Sequence, residues 1–163
     1  MKTMKKGKNM KVLIVYYSRT GTTKNTSELI SKKLNCDIEE IKDTKDRLGI
    51  INYIKSGKDA MTSSLTTIES IEKDPSKYDH VIIASPVWAG TIASPILTYI
   101  TENKGKFHNL SFISTCKSTC EKALNDMEKI TEKKPISTMF VDKNDIDSKL
   151  DEKIDIFISG IKT

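Results

Sequence analysis

Val12-Leu13-Ile14-Val15-Tyr16-Tyr17 runs straight into Ser18-Arg19-Thr20-Gly21-Thr22-Thr23. Six apolar or aromatic residues in succession read as a strand covered on both faces, the pattern of a parallel sheet. The six that follow read as a turn into a helix, which starts near Thr22 and carries Leu29, Ile30 and Leu34. The first N–H groups of such a helix lack intrahelical partners, and the positive end of its dipole faces the turn. Gly21 lets the backbone approach an anion closely, and Ser18, Thr20, Thr22 and Thr23 add hydroxyl donors. A strand-to-helix turn of this composition suits a phosphate and needs neither metal nor lysine. The same residues also suit ordinary N-cap and turn chemistry, so the stretch by itself leaves both readings open.

A second apolar run, Val81-Ile82-Ile83-Ala84, leads into Ser85-Pro86-Val87-Trp88-Ala89-Gly90-Thr91, a loop holding the single Trp of the chain. A helix is expected next, with Ile92, Ile96, Leu97 and Ile100 on one face. The two segments together resemble the flavodoxin family, whose short-chain members bind flavin mononucleotide (FMN). In that family a T/S-x-T-G-x-T loop after the first strand holds the 5′-phosphate, and Ser18, Arg19, Thr20, Gly21, Thr22 and Thr23 match it position by position. The resemblance implies that Pro86, Val87, Trp88, Ala89 and Gly90 line the isoalloxazine ring. It further implies that Thr115, Cys116, Lys117 and Ser118 meet the pyrimidine end through backbone groups. Two departures stand out. No aromatic lies between Ser114 and Glu121, where many members stack a second ring. Ala89 follows Trp88 where the usual carriers have Gly, whose peptide flips on one-electron reduction.

The resemblance covers the chain from about Lys11 onward and implies an α/β flavodoxin-like three-layer sandwich. Its sheet would be five-stranded and parallel in the order 2-1-3-4-5. The first strand is expected at about 11–18 and the third at about 79–85. Cys36-Asp37-Ile38-Glu39-Glu40-Ile41-Lys42 and Ile136-Ser137-Thr138-Met139-Phe140-Val141 are more polar or alternate, so they belong at the edges. Leu110-Ser111-Phe112-Ile113-Ser114 supplies the remaining internal strand. Ile146, Leu150, Ile154, Phe157, Ile158 and Ile161 repeat at the spacing of a final helix. Between the second and third strands the chain is longer than one crossover needs. One helix near 48–60 and a short element before Tyr78 are expected, as a surface extension of the crossover or as a flap beside the flavin.

A chain of 163 residues suits one domain, taken as 11–163 behind a disordered basic leader, 1–10. The leader has no apolar segment, and no later run is long enough to cross a bilayer, so a cytoplasmic protein without membrane contact is expected. Three cysteines, an odd number, point to reduced thiols rather than a disulfide framework. Cys116-Lys117-Ser118-Thr119-Cys120 lacks C-x-x-C spacing and any zinc-ligand partner, and reads as a helix start with one buried thiol. His80 and His108 flank strand starts and read as surface residues. The net charge of +5 is spread along helix faces, so no nucleic-acid surface is expected.

Other chemistries on this kind of sheet are excluded by residue. A phosphoacceptor receiver needs acidic residues where Ser18-Arg19 and Ser85-Pro86 stand. A C-x5-R phosphatase needs a Cys in the first turn, and none occurs before Cys36. G-x-x-x-x-G-K-[ST] is absent. The expectation is electron transfer through FMN as a carrier, with an NAD(P)H-dependent quinone or flavin reductase and a non-catalytic flavin-sensing module as alternatives. No side chain is assigned a catalytic role, and no metal is expected. The partner would be a redox protein or a small electron donor or acceptor, and the chain a monomer or homodimer.

Overall fold

The computed structural model describes residues 9–44, 65–118 and 120–162. Most of the expected basic leader and all of the helix expected near 48–60 lie outside the described residues. Strand β1 is Val12–Tyr16, β2 Asp37–Glu40, β3 His80–Trp88, β4 Thr91–Ile92, β5 Asn109–Thr115 and β6 Thr138–Val141. The helices are α1 Thr22–Leu34, α2 Ser94–Asn103, α3 Glu121–Thr131, α4 Lys143–Ser148 and α5 Leu150–Lys162. A short 3₁₀ turn, Pro75–Lys77, precedes Tyr78 as expected.

Five strands run parallel in the order β2-β1-β3-β5-β6, which is the expected 2-1-3-4-5 sheet, and β4 adds a two-residue antiparallel pairing to β3. The register sets Ile14 beside Ile38 and Ile82, and Ile83 beside Phe112. Side chains alternate between faces, so each strand feeds two cores. Leu13, Val15, Val81, Ile83 and Phe112 pack with Ile96, Ile100 and Met127 of α2 and α3. Val12, Ile14, Ile82, Ala84 and Ile113 pack with Ile30 of α1 and Ile154, Phe157 and Ile161 of α5. Ile14 and Ile82 are fully buried, and truncating either to Ala costs about 2–5 kcal/mol. The two polar segments occupy the edges, as their patterns require.

Several elements differ from the sequence reading. Pro86-Val87-Trp88 extends β3 instead of forming a loop, with Pro86 opposite Thr115. Pro is tolerated there because β1 has already ended opposite Ala84, leaving no strand on that side to receive an N–H. Ile92 pairs with Val87 in β4, and α2 begins only at Ser94, with Pro95 in its first turn. The final helix is two helices. Asp142 and Asp145 form a reciprocal capping box that starts α4 separately, and Ile146 is exposed. His80 is 1% exposed rather than a surface residue, because it opens β3 between β1 and β5. Its Nε2 shares a 2.9 Å hydrogen bond with Ser111 Oγ, and burial pushes its pKa down to about 4. His108 is exposed, as expected.

Candidate functional site

The segments after β1, β3 and β5 leave neighbouring parallel strands at the same, carboxyl edge of the sheet. This is the edge at which open α/β sheets bind ligands.

The first segment is held by its own backbone. Gly21 is the N-cap of α1 with φ +98°, and its N–H donates to Ser18 Oγ at 3.1 Å. The first intrahelical bond of this turn runs from Asn25 N–H to Gly21 O at 2.9 Å, so the N–H groups of Thr22, Thr23 and Lys24 precede it. No side chain caps this helix end and no acidic residue occupies its first turn. A Cβ on Gly21 would meet nothing within 4 Å, so glycine is required there by φ, and the space before it is open. Thr20 is exposed, Ser18, Arg19 and Thr22 are half-buried, and Thr23 is buried. Uncapped N–H groups, hydroxyls and a first turn without acidic residues form a donor set suited to a phosphate.

Thr23 turns inward. Its Oγ1 lies 2.7 Å from Thr115 Oγ1 at the end of β5, joining the first segment to the third. In the third, Thr115 is buried, Cys116 half-buried, and Lys117 and Ser118 exposed. The Cys116 N–H donates to Val141 O at 3.0 Å. Cys116 and Cys120 are joined by a disulfide, which corrects the expectation of three reduced thiols; Cys36 alone is free. The pairing arises because the turn into α3 brings the two Cα atoms within 5.7 Å, a separation that C-x-x-C reasoning does not consider.

The middle segment is a tight hairpin. Val87 pairs with Ile92 and Trp88 with Thr91, so Ala89 and Gly90 alone make the turn, with φ +48° and +81°. Trp88 is half-buried and meets Tyr17 edge to face, with ring centroids 5.3 Å apart and planes at 88°. Thr91 Oγ1 donates to Asp126 of α3, which also pairs with Lys122. Ser85 Oγ accepts from Ala93 N–H and donates to Pro86 O, fixing both ends of the hairpin.

The residues singled out from sequence therefore lie on three adjacent segments. Their supports, Tyr17, Ser85, Thr91 and Asp126, carry no local signal; only the aromatic character of Tyr17 at a strand end hints at a role. A cleft of about 240 Å3 lies elsewhere, at the β2 edge, where Glu39, Glu40, Glu69 and Glu72 outnumber Lys42 and Lys73. Its lining makes it no match for a phosphate. Among the described residues no helix is long and apolar enough to cross a membrane.

No protein-family model matches the chain, and no curated protein matches it. Solved structures do match. A flavoprotein from Lactobacillus acidophilus NCFM, crystallised in complex with FMN, is 24% identical, with TM-score 0.70 over 85% of this chain and 97% of that one. The fold is that of the flavodoxins. The apo form of the Lactobacillus acidophilus NCFM flavoprotein, solved by NMR, is 25% identical, with TM-score 0.63 over 87% and 98% of the two chains. Flavodoxin 1 from Bacillus cereus is 12% identical, with TM-score 0.60 over 93% and 97%. The flavodoxin-like order of the sheet thus agrees with the resemblance in the two sequence segments.

Proposed function

We propose that this chain binds FMN at the carboxyl edge of β1, β3 and β5 and serves electron transfer. The observation that carries the reading is the open, uncapped start of α1, with Gly21 at φ +98°, hydroxyls beside it and no acidic residue in the first turn. The phosphate would be held by Ser18, Thr20 and Thr22 hydroxyls and by the N–H groups from Gly21 to Lys24. Arg19 and Lys24 add positive charge. Trp88, Ala89 and Gly90 would lie along the ring, and Thr115 to Ser118 at its pyrimidine end. When bound, the flavin supplies the redox chemistry, and the protein tunes it through contacts near the ring nitrogens. The similar Lactobacillus protein crystallised with FMN supports this reading.

The carrier reading asks only that the hairpin and β5 segments leave a flavin edge accessible to a redox partner protein. The segment after β5 offers no aromatic to cover the second ring face, which favours a reductase in which NAD(P)H or a quinone stacks there. A cytoplasmic setting suits either. Steady-state oxidation of NADH or NADPH with a quinone acceptor separates the two.

Titration with FMN and with riboflavin, followed through Trp88 emission, tests the site. FMN is expected to quench Trp88 and to bind at least a hundredfold more tightly than riboflavin, since charge-assisted bonds to an anion contribute about 1.5–3 kcal/mol each. Thr20→Val with Thr22→Val should remove most of that preference. Equal affinity for the two flavins would sink the phosphate assignment, and unquenched emission would remove Trp88 from the ring.

A further inference from the structure

The Cys116–Cys120 disulfide stands in the segment expected to meet the flavin, yet the fold has little need of it. It closes a short ring of sequence separation four, the kind of cross-link that restricts an unfolded chain least. Both flanks are already held. Thr115 is paired with Val141 across the β5–β6 ladder, and the Cys116 N–H donates to Val141 O. Beyond the bond, Cys120 O accepts from Ser114 Oγ at 3.1 Å. What the bond does hold is Lys117 and Ser118, exposed between its two ends.

The two sulfurs differ in environment as an exchangeable pair requires. Cys116 is half-buried, whereas Cys120 is 2% exposed. Cys120 Sγ lies 3.8 Å from Val141 O. A disulfide sulfur has no proton to donate there, but a Cys120 thiol does, so the site accommodates the reduced form without a new buried unpartnered group. Cys36 offers no competing partner, since burial pushes its thiol up to about 11.

We propose that Cys116 and Cys120 form a second, two-electron redox site that exchanges with dithiols and whose oxidation state sets flavin affinity through Lys117 and Ser118. The inference rests on the FMN reading above. In the exchange a dithiol's thiolate attacks Cys116 Sγ, the S–S bond breaks, and Cys120 leaves as a thiolate that takes a proton. The reagent's second thiol then displaces Cys116, forming a cyclic disulfide. Two electrons and two protons pass to the protein. The oxidised segment is preorganised for binding, and the reduced one must be ordered when FMN binds.

The test uses the full-length wild-type protein before and after incubation with dithiothreitol under native conditions. Acid quenching, unfolding and alkylation are expected to label Cys36 alone before treatment and all three cysteines after it, with the circular dichroism of the fold retained. FMN should bind the reduced protein on the order of tenfold more weakly than the oxidised one. Cys116→Ser with Cys120→Ser should bind like reduced wild type and ignore the dithiol. A thiol count that dithiothreitol leaves unchanged in the folded protein, or one that shows no disulfide beforehand, overturns the redox site. Equal, measurable FMN affinity in both states overturns the coupling while leaving the FMN reading intact. Absence of FMN binding in both states, with the thiol count changing as expected, overturns the coupling together with that reading. The wild-type comparison decides among these outcomes even if the double variant does not fold.

Discussion

Thr23 Oγ1 and Thr115 Oγ1 share a hydrogen bond of 2.7 Å between two buried side chains 92 residues apart, pinning the first turn of α1 to the end of β5. The bond sets the distance between two of the three segments that make the candidate site. It also satisfies two hydroxyls that water reaches poorly. Thr23→Val or Thr115→Val alone leaves the other hydroxyl without this partner and should cost about 1–3 kcal/mol in urea unfolding of the apo protein. The double Val variant should lose less than the sum of the two, by about 1 kcal/mol or more. Strictly additive losses would mean that the pair contributes nothing as a pair.

The hairpin tip yields a prediction of opposite signs at neighbouring positions. Ala89 has φ +48° and Gly90 φ +81°, the two positive angles that a two-residue hairpin turn demands. A residue with a Cβ pays about 1–2 kcal/mol for that conformation, while Gly costs about 0.4–1 kcal/mol through the freer unfolded chain. Ala89→Gly should therefore raise stability, by up to about 1 kcal/mol. Gly90→Ala should lower it by about 1–2 kcal/mol through backbone strain alone, because a Cβ there meets nothing within 4 Å. Shifts of the urea midpoint in the same direction for both variants would contradict this account of the turn.

His80 should make the protein acid-sensitive. Burial lowers its folded-state pKa to about 4, against an ordinary value of 6.5, so the unfolded chain takes up the proton first as pH falls. Its neutral form costs the fold nothing in protonation above about pH 6.5. Stability should then decline as pH drops toward 4, by roughly 3 kcal/mol from this residue. Unfolding free energies measured at pH 7.5, 6 and 4.5 should fall more steeply for wild type than for His80→Gln. Parallel curves would assign the pH dependence to other groups.

The strand at Val12–Tyr16 and β3 as far as Ser85 were legible because a strand buried on both faces must be apolar at nearly every position, and that requirement is local. The start of α1 near Thr22 was legible for the same kind of reason, since Gly21 and its hydroxyl neighbours mark a turn into a helix within six residues; that no side chain caps this end is a result of the folded structure. Polar Asp37–Glu40 and alternating Thr138–Val141 marked themselves as edge strands because one flank of each lacks a neighbour.

What the tertiary structure decided is a matter of partners distant in sequence or of competition between local signals. The burial of His80 depends on Ser111 and on strands to either side, and no window around His80 contains them. Thr23 and Thr115 meet only because β5 lies two strands from β1. The continuation of β3 through Pro86 to Trp88 depends on β1 ending early and β4 folding back, which moves Ile92 out of the helix its spacing suggested. The capping box of Asp142 and Asp145 outweighs the helical repeat and separates Ile146 from the final helix. The union of Cys116 with Cys120 needs a turn that brings their Cα atoms to 5.7 Å, a distance set by where β5 ends and α3 begins rather than by the cysteines themselves. Residue order specifies which backbone shapes are favourable locally; which side chains then share a bond is settled by the packing of those shapes against one another.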